Sequence, residues 1–168
     1  RLTDAITVMK DLRALTATTT SAPSRPPITH TIPVWYGGAA GPDLADVARQ
    51  AGLTPLEAGA LHASVTYRVF MLGFSPGFPY LGPVPARIAT PRLPTPRRQV
   101  AAGSVGIAGT QTGIYPQASP GGWRIIGRTP VLLFSLHRPK PFLLAPGDQV
   151  RFVPIEEEVF KELSGDQS

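Results

Sequence analysis

Proline and glycine supply 20 and 17 of the 168 residues, and they crowd the middle of the chain. Two runs show it: GFSPGFPYLG (73–82) and TPRLPTPRRQVAAGSVGIAGTQTGIYPQASPGGWRIIGRTP (90–130). Pro removes a backbone donor and fixes φ, and Gly weakens a helix interior, so no ordinary helix runs through such a stretch. The punctuation has no repeat period, Val, Ile, Leu and Phe fill the gaps, and 42% of the chain is apolar. That is a turn-rich β protein with a real core rather than a disordered chain. Strands are expected at 28–36 and 67–74, then at about 87–89, 103–108, 112–114, 124–126, 130–136 and 149–153.

Between the first two strands lie two helix signals. GPDLADVARQAG (41–52) offers Gly41 as N-cap, Pro42 at the first helical position and Gly52 just past the end. Thr54-Pro55-Leu56-Glu57 is a capping box that opens a second helix to about Ser64. A strand, two helices and then many short strands predict a mainly β fold, a closed and mainly antiparallel barrel with two short capping helices. Residues 3–15 read as the last helix of a leading domain and 16–27 as its linker. The barrel domain is expected over 28–156, with an acidic helix and tail over 157–168.

The charge distribution is as uneven as the Pro and Gly. Between Ser64 and Gly147 there are eight Arg and one Lys but no Asp or Glu. Such a stretch attracts anions and supplies no carboxylate general base. Acid and base groups for any chemistry here must come from outside it or from another chain. The net charge of +5 and pI near 10.1 raise nucleic acid as a partner. Against that, Arg outnumbers Lys 13 to 3, and no basic run exceeds two residues. Arg suits bidentate contacts to a small carboxylate or phosphate, so a small anionic substrate is the better match. The absence of Cys excludes disulfide and thiolate chemistry. With no 18-residue apolar run and no signal-peptide pattern, a cytoplasmic protein without membrane contact is expected.

Several motifs are weaker than they look. The helix pair around Gly52 mimics a helix-turn-helix, but its second helix opens with Pro55, Leu56 and Glu57, which suit DNA phosphate poorly. Gly73-Phe74-Ser75-Pro76-Gly77 matches G-x-S-x-G, yet Pro76 has no N–H for an oxyanion. It reads instead as a rigid turn carrying Phe74, Phe78 and Tyr80. Gly103, Gly106, Gly109 and Gly113 form no Walker loop and more simply permit bulges and close strand packing. A ligand-approach role is kept for Gly109 to Gly113, where Thr110, Gln111, Thr112 and Tyr115 cluster. His30, His62 and His137 lack metal-ligand spacing, and His62 alone is retained as a site candidate.

Five co-linear segments then carry a resemblance: PGFPYLG (76–82), PRLPTPR (91–97), AGSVGIAGTQTGIYP (102–116), SPGGWRIIGRTP (119–130) and PFLLAPGDQVRF (141–152). Together they resemble the family of the 5-oxoprolinase B component, also known as the kinase-inhibitor Kip-type or allophanate hydrolase subunit 1 family. They are similar as well to the carboxyltransferase domain, subdomains C and D, of urea carboxylase. The chain departs from that pattern at Ala39, where Glu is expected, and at Ala101, where Pro is expected. The resemblance implies a cyclophilin-like barrel. It implies a partner that is itself cyclophilin-like, the C component of 5-oxoprolinase or allophanate hydrolase subunit 2, and a further A component. It also implies ATP-dependent opening of 5-oxoproline to glutamate, with the ATP handled together with the partner subunits.

The expected function is therefore a hydrolase subunit, of 5-oxoprolinase or allophanate hydrolase type, inactive without its partner. The alternatives are a module that inhibits a sensor histidine kinase, and a carboxyltransferase half acting with a biotinylated carrier. Phe78, Tyr80, Arg92, Arg97, Gln111, Thr112, Tyr115 and Trp123 are expected to form one substrate-binding face, with His62 as a further candidate. Arg97 reads as a surface Arg whose loss would cost activity more than folding.

Overall fold

The computed structural model describes residues 25–165. The helix expected at 3–15 lies outside them. Strand β1 (Thr29–Tyr36) is followed by helices α1 (Leu44–Ala51) and α2 (Pro55–Ala63). Then come β2 (Thr66–Leu72), β3 (Pro79–Gly82), β4 (Arg97–Val100), β5 (Ser104–Ala108), β6 (Gln111–Ile114), β7 (Ser119–Gly121), β8 (Arg124–Arg128) and β9 (Gln149–Ile155). Helix α3 (Glu157–Gly165) ends the described chain. None of the described helices is long and apolar enough to cross a membrane.

Seven strands close a barrel in the order β1-β8-β5-β6-β3-β2-β9. All pairs are antiparallel except the closing one, where β1 runs parallel to β9 from Thr29↔Gln149 to Trp35↔Ile155. A parallel pair needs a long crossover, and the rest of the barrel provides it. Strand β2 alternates over its first five residues, with Tyr67 and Val69 inside and their neighbours outside, until the register shifts between Val69 and Met71. Strand β9 does the same with Val150 and Phe152. These four residues join Ile32, Val34, Leu81, Val105, Ile107, Ile114 and Ile126 in the main core.

Strand β5 departs from the alternation because all five of its residues are buried. Its outer face meets Trp123 and a second apolar cluster, and the two-stranded sheet β4–β7 lies off the barrel. In this outer layer the cluster comprises Phe78, Val100, Ala108, Tyr115, Trp123 and Ile125, with Tyr80 packed against it.

The helices follow their sequence signals in part. On α2 the Glu57 N–H donates to Thr54 Oγ1 (3.2 Å) and the Thr54 N–H donates to Glu57 Oε2 (2.7 Å), completing the capping box. Gly52 closes α1 in the left-handed region. The start of α1 differs from expectation. Asp43, not Gly41, occupies the N-cap position, and its carboxylate makes no capping bond. Two expected strands are also absent. Residues 87–89 fall on a single 3-10 turn (Ala86–Ile88) closed by Ile88 N–H to Pro85 O. Residues 130–136 stay irregular, with Ser135 bonded to Pro141 and Leu143 to Leu133. The closed barrel leaves no free edge for another strand to join. Two short strands, β3 and β7, are hidden in the sequence because Pro79, Pro120 and Gly121 within them read as turns, and β4 is hidden because three of its four residues, Arg97, Arg98 and Gln99, are polar.

Candidate functional site

The outer layer holds a cleft of about 260 Å³ at the rim of the second cluster. The turn before β3 supplies Phe74 and Phe78, β3 itself supplies Tyr80, and the chain entering β4 supplies Arg92 and Pro96. Tyr115 follows β6, Pro120 and Gly121 belong to β7, and Gly122 and Trp123 lead into β8. The rings meet mostly edge to face, the favoured geometry for aromatic quadrupoles. Phe78 is the hub, 5.2 Å from Tyr115, 5.3 Å from Trp123, 5.0 Å from Tyr80 and 5.6 Å from Phe74.

Two glycines make that packing possible. A Cβ on Gly113 of β6 would press into the Phe78 ring, and one on Gly121 of β7 would collide with the Tyr115 hydroxyl. Both therefore let an aromatic ring lie directly against backbone.

The cleft's cation is Arg92, whose guanidinium sits over Trp123 at 5.9 Å. Among the described residues it pairs with no carboxylate. Burial raises the Tyr115 pKa, against opposing pulls from the Trp123 backbone N–H, Arg92 and Arg97. The phenol thus stays protonated at neutral pH and is available as a donor. A flat apolar enclosure with one cation and a phenol suits a small anion that has an apolar body. It does not match a nucleotide, which needs several donors around its phosphates. No group of three His, Asp or Glu among the described residues is placed to hold a metal.

The residues expected to share one face, and His62 beside them, divide among four places. Phe78, Tyr80, Arg92, Tyr115 and Trp123 line the cleft together. Arg97 on β4 does not line it. Its Nη2 donates to Asp43 Oδ1 at 2.8 Å, and its side chain is 32% exposed against 7% for the Asp43 side chain. The other Asp43 oxygen accepts the Ile125 N–H at 2.6 Å, while the Asp43 N–H donates to Ile125 O. Asp43 therefore ties the start of α1 to both β4 and β8, and the view of Arg97 as a free surface side chain is corrected.

His62 and Thr112 sit inside the barrel, away from the cleft. His62 is fully buried, and Thr112 Oγ1 donates onward to Gly106 O (2.9 Å). The Thr112 oxygen is thus left to accept from His62 Nε2–H (2.9 Å), and His62 Nδ1 accepts from Tyr36 OH (2.7 Å). Burial pushes the His62 pKa down to about 3, so the ring is neutral. Gln111 projects from the outer barrel face, since its neighbour Thr112 points inward. It too is absent from the cleft lining.

The sequence candidates omit Phe74 and the two Asp residues of the α1 region. Asp43 takes Arg97, and Asp46 reaches Arg124 at 3.6 Å. The carboxylate-free middle is thus partly neutralised from α1. Arg87, Arg128 and Arg138 bond backbone carbonyls at Ala51, Ala102 and Leu132.

The family model described as the carboxyltransferase domain, subdomain C and D, matches residues 2–144. The chain belongs to that family. It is 59% identical over 128 residues to the B component of 5-oxoprolinase from Escherichia coli O157:H7, an alignment covering 76% of this chain and 59% of that protein. Against the corresponding 5-oxoprolinase component of Bacillus subtilis (strain 168) it is 54% identical over 127 residues, covering 76% and 53%. The crystal structure of a conserved uncharacterised protein from Pyrococcus horikoshii superimposes with a TM-score of 0.76 at 55% identity, over 79% of this chain and 61% of that one. This carboxyltransferase-domain chain thus spans little more than half the length of the curated relatives it matches. The resemblance carried by the five sequence segments agrees with these matches.

Proposed function

We propose that this chain is the barrel part of a 5-oxoprolinase subunit, working in the cytoplasm within an ATP-dependent complex that opens 5-oxo-L-proline to L-glutamate. The observation that carries the reading is the aromatic cleft with Arg92 as its unpaired cation. 5-Oxoproline is a compact, nearly planar lactam ring bearing one carboxylate, which fits that combination. Arg92 holds the carboxylate, Phe78 and Trp123 wall the ring, and the Tyr115 hydroxyl donates to a polar edge.

Ring opening breaks the amide C–N bond. The hydroxyl of water goes to the carbonyl carbon and a proton to the nitrogen. ATP, handled together with the partner subunits, supplies the driving force. This chain offers binding and orientation. Its partners are a second cyclophilin-like protein, the C component, and a further A component. They offer Asp or Glu for proton transfer, and the isolated chain is inert.

The test is to purify the full-length protein by itself and with its partners, then measure 5-oxoproline-dependent ATP turnover. Activity should require the complex. Arg92→Ala should raise KM about tenfold, and because Arg92 is exposed, stability should change by less than roughly 0.5 kcal/mol. Full turnover by the isolated protein, or an unchanged KM in the variant, sinks the reading. The family description favours one rival, a carboxyltransferase acting with a biotinylated carrier. Turnover that depends on such a carrier would replace the hydrolase reading with it.

A further inference from the structure

Phe74 is the one non-glycine among the described residues with a positive φ, +64°. Each of the other positive-φ positions, from Gly37 to Gly147, is a glycine. A left-handed backbone penalises a side chain with a Cβ, and a bulky ring is an outlier there. The ring gains little burial in return, since Phe74 is 66% exposed. Neither the backbone nor the core accounts for a phenylalanine here.

The turn that holds it is well tied. Gly73 N–H bonds Phe78 O (3.0 Å), Ser75 N–H bonds Gly73 O (2.7 Å) and Phe78 N–H bonds Ser75 O (3.0 Å). A conformation held by its surroundings against its own preference is the kind found at binding sites. The direction of the ring says which site. It stands edge-on to Phe78 at 5.6 Å and to Tyr115 at 6.5 Å, at the open side of the cleft.

We propose that Phe74 is a specificity-determining residue of the cleft, a preset aromatic wall that covers the flat face of a small cyclic carboxylate held by Arg92. The inference rests on the cleft being the substrate site. The fixed turn places the ring before ligand arrives, so no ordering is needed on binding. Acyclic carboxylates of similar size lack the flat face and gain less from it.

The experiment uses the full complex with Phe74→Gly, Phe74→Leu and Phe74→Tyr, and Arg92→Ala alongside. The readouts are KM for 5-oxoproline, calorimetric binding of 5-oxoproline, and co-elution with the partner subunits. Phe74→Gly and Phe74→Leu should raise KM about tenfold, the scale of one lost ring contact, and Phe74→Tyr should restore it. Co-elution should stay unchanged in all of them. If Phe74→Gly keeps the wild-type KM while Arg92→Ala raises it, the role given to Phe74 is wrong and the cleft reading stands. Should neither variant change KM, both fall. A Phe74→Gly protein that no longer co-elutes with its partners overturns the ligand role and makes the ring a docking contact.

Discussion

The barrel interior and the cleft on its outer wall treat their polar groups in opposite ways. Inside, Tyr36, His62, Thr112 and Gly106 O form one unbroken chain of hydrogen bonds, and Tyr67 OH donates to His62 O at 2.7 Å. No polar side-chain atom of that chain is left over. Outside, three buried side-chain atoms have no hydrogen-bond partner among the described residues: Ser75 Oγ, Arg97 Nη1 and Ser119 Oγ. They belong to the 73–77 turn, β4 and β7, the elements around the second cluster, and the same turn carries the left-handed Phe74. A buried polar atom without a partner costs about 1–3 kcal/mol. The interior closes its polar groups on one another, and the left-handed Phe74 and the cleft both lie in the outer layer.

The largest expected effect tests the interior. His62 has a folded-state pKa near 3, well below the roughly 6.5 of a free imidazole. The unfolded chain therefore binds one more proton than the folded one between those values, and stability falls as pH drops from about 6.5 toward 3. The slope is about 1.4 kcal/mol per pH unit, so the loss by pH 4 is on the order of 3 kcal/mol. Tyr36 and Tyr67 face the ring, but burial raises both their pKa values, so neither titrates in this window. Asp148 enters later. Burial raises its pKa, but bonds from the Ile28 and Ala145 N–H groups, Arg25 and His30 outweigh that and hold it below the usual carboxylate range. Its contribution is thus present above about pH 4 and lost below. Urea unfolding from pH 7 to 4 should show the slope in the wild type and lack it in His62→Leu. A wild-type profile as flat as the variant's would mean that the interior is not a sealed neutral network.

The next effect lies on the seam between the regions. Asp43→Ala removes the acceptor of both Arg97 and the Ile125 N–H and should cost about 2–3 kcal/mol, reduced from a fully buried pair because Arg97 is partly exposed. Arg97→Ala should cost less, roughly 1–2 kcal/mol, because Asp43 keeps its backbone donor. Denaturant midpoints for both variants check the order. If Arg97→Ala leaves stability unchanged yet lowers activity, Arg97 belongs with the cleft rather than with the frame.

How much of this is legible in the sequence follows the distance between partners. The capping box needs only Thr54 and Glu57, three residues apart, and it reads directly from the sequence. The barrel reads from the rhythm of short apolar runs. The cleft reads in part, because Phe78, Tyr80, Arg92, Tyr115 and Trp123 are among the aromatic and cationic residues of the Gly/Pro-rich stretches, and turns of a closed barrel gather on its outside. Arg97 and His62 are misplaced by the sequence reading for one shared reason. Their partners, Asp43 and Thr112, lie 54 and 50 residues away, and nothing local marks the pairing. The apolar run at 130–136 suggests a strand, yet only Leu133 among its leucines enters the core, while Leu132 and Leu136 are 40% and 78% exposed. Closure of the barrel by other strands decides that, and closure is not a local property.

The smallest effect bears most directly on the contrast. At Phe74 the left-handed backbone costs a side chain about 1–2 kcal/mol, and glycine removes that cost. Glycine also gives the unfolded chain more freedom, worth about 0.5–1 kcal/mol in the other direction. The ring's edge contacts with Phe78 and Tyr115 are those of a largely exposed side chain and add little. The net expectation for Phe74→Gly is a gain of roughly 0.5 kcal/mol, a rise of about 1–2 °C in thermal midpoint for a chain of this size. The sign carries the information. A residue that lowers stability where it stands is retained for something other than the fold. A loss above about 1 kcal/mol would instead class Phe74 with Phe78 as packing, and the cleft would then be as complete by itself as the barrel beneath it.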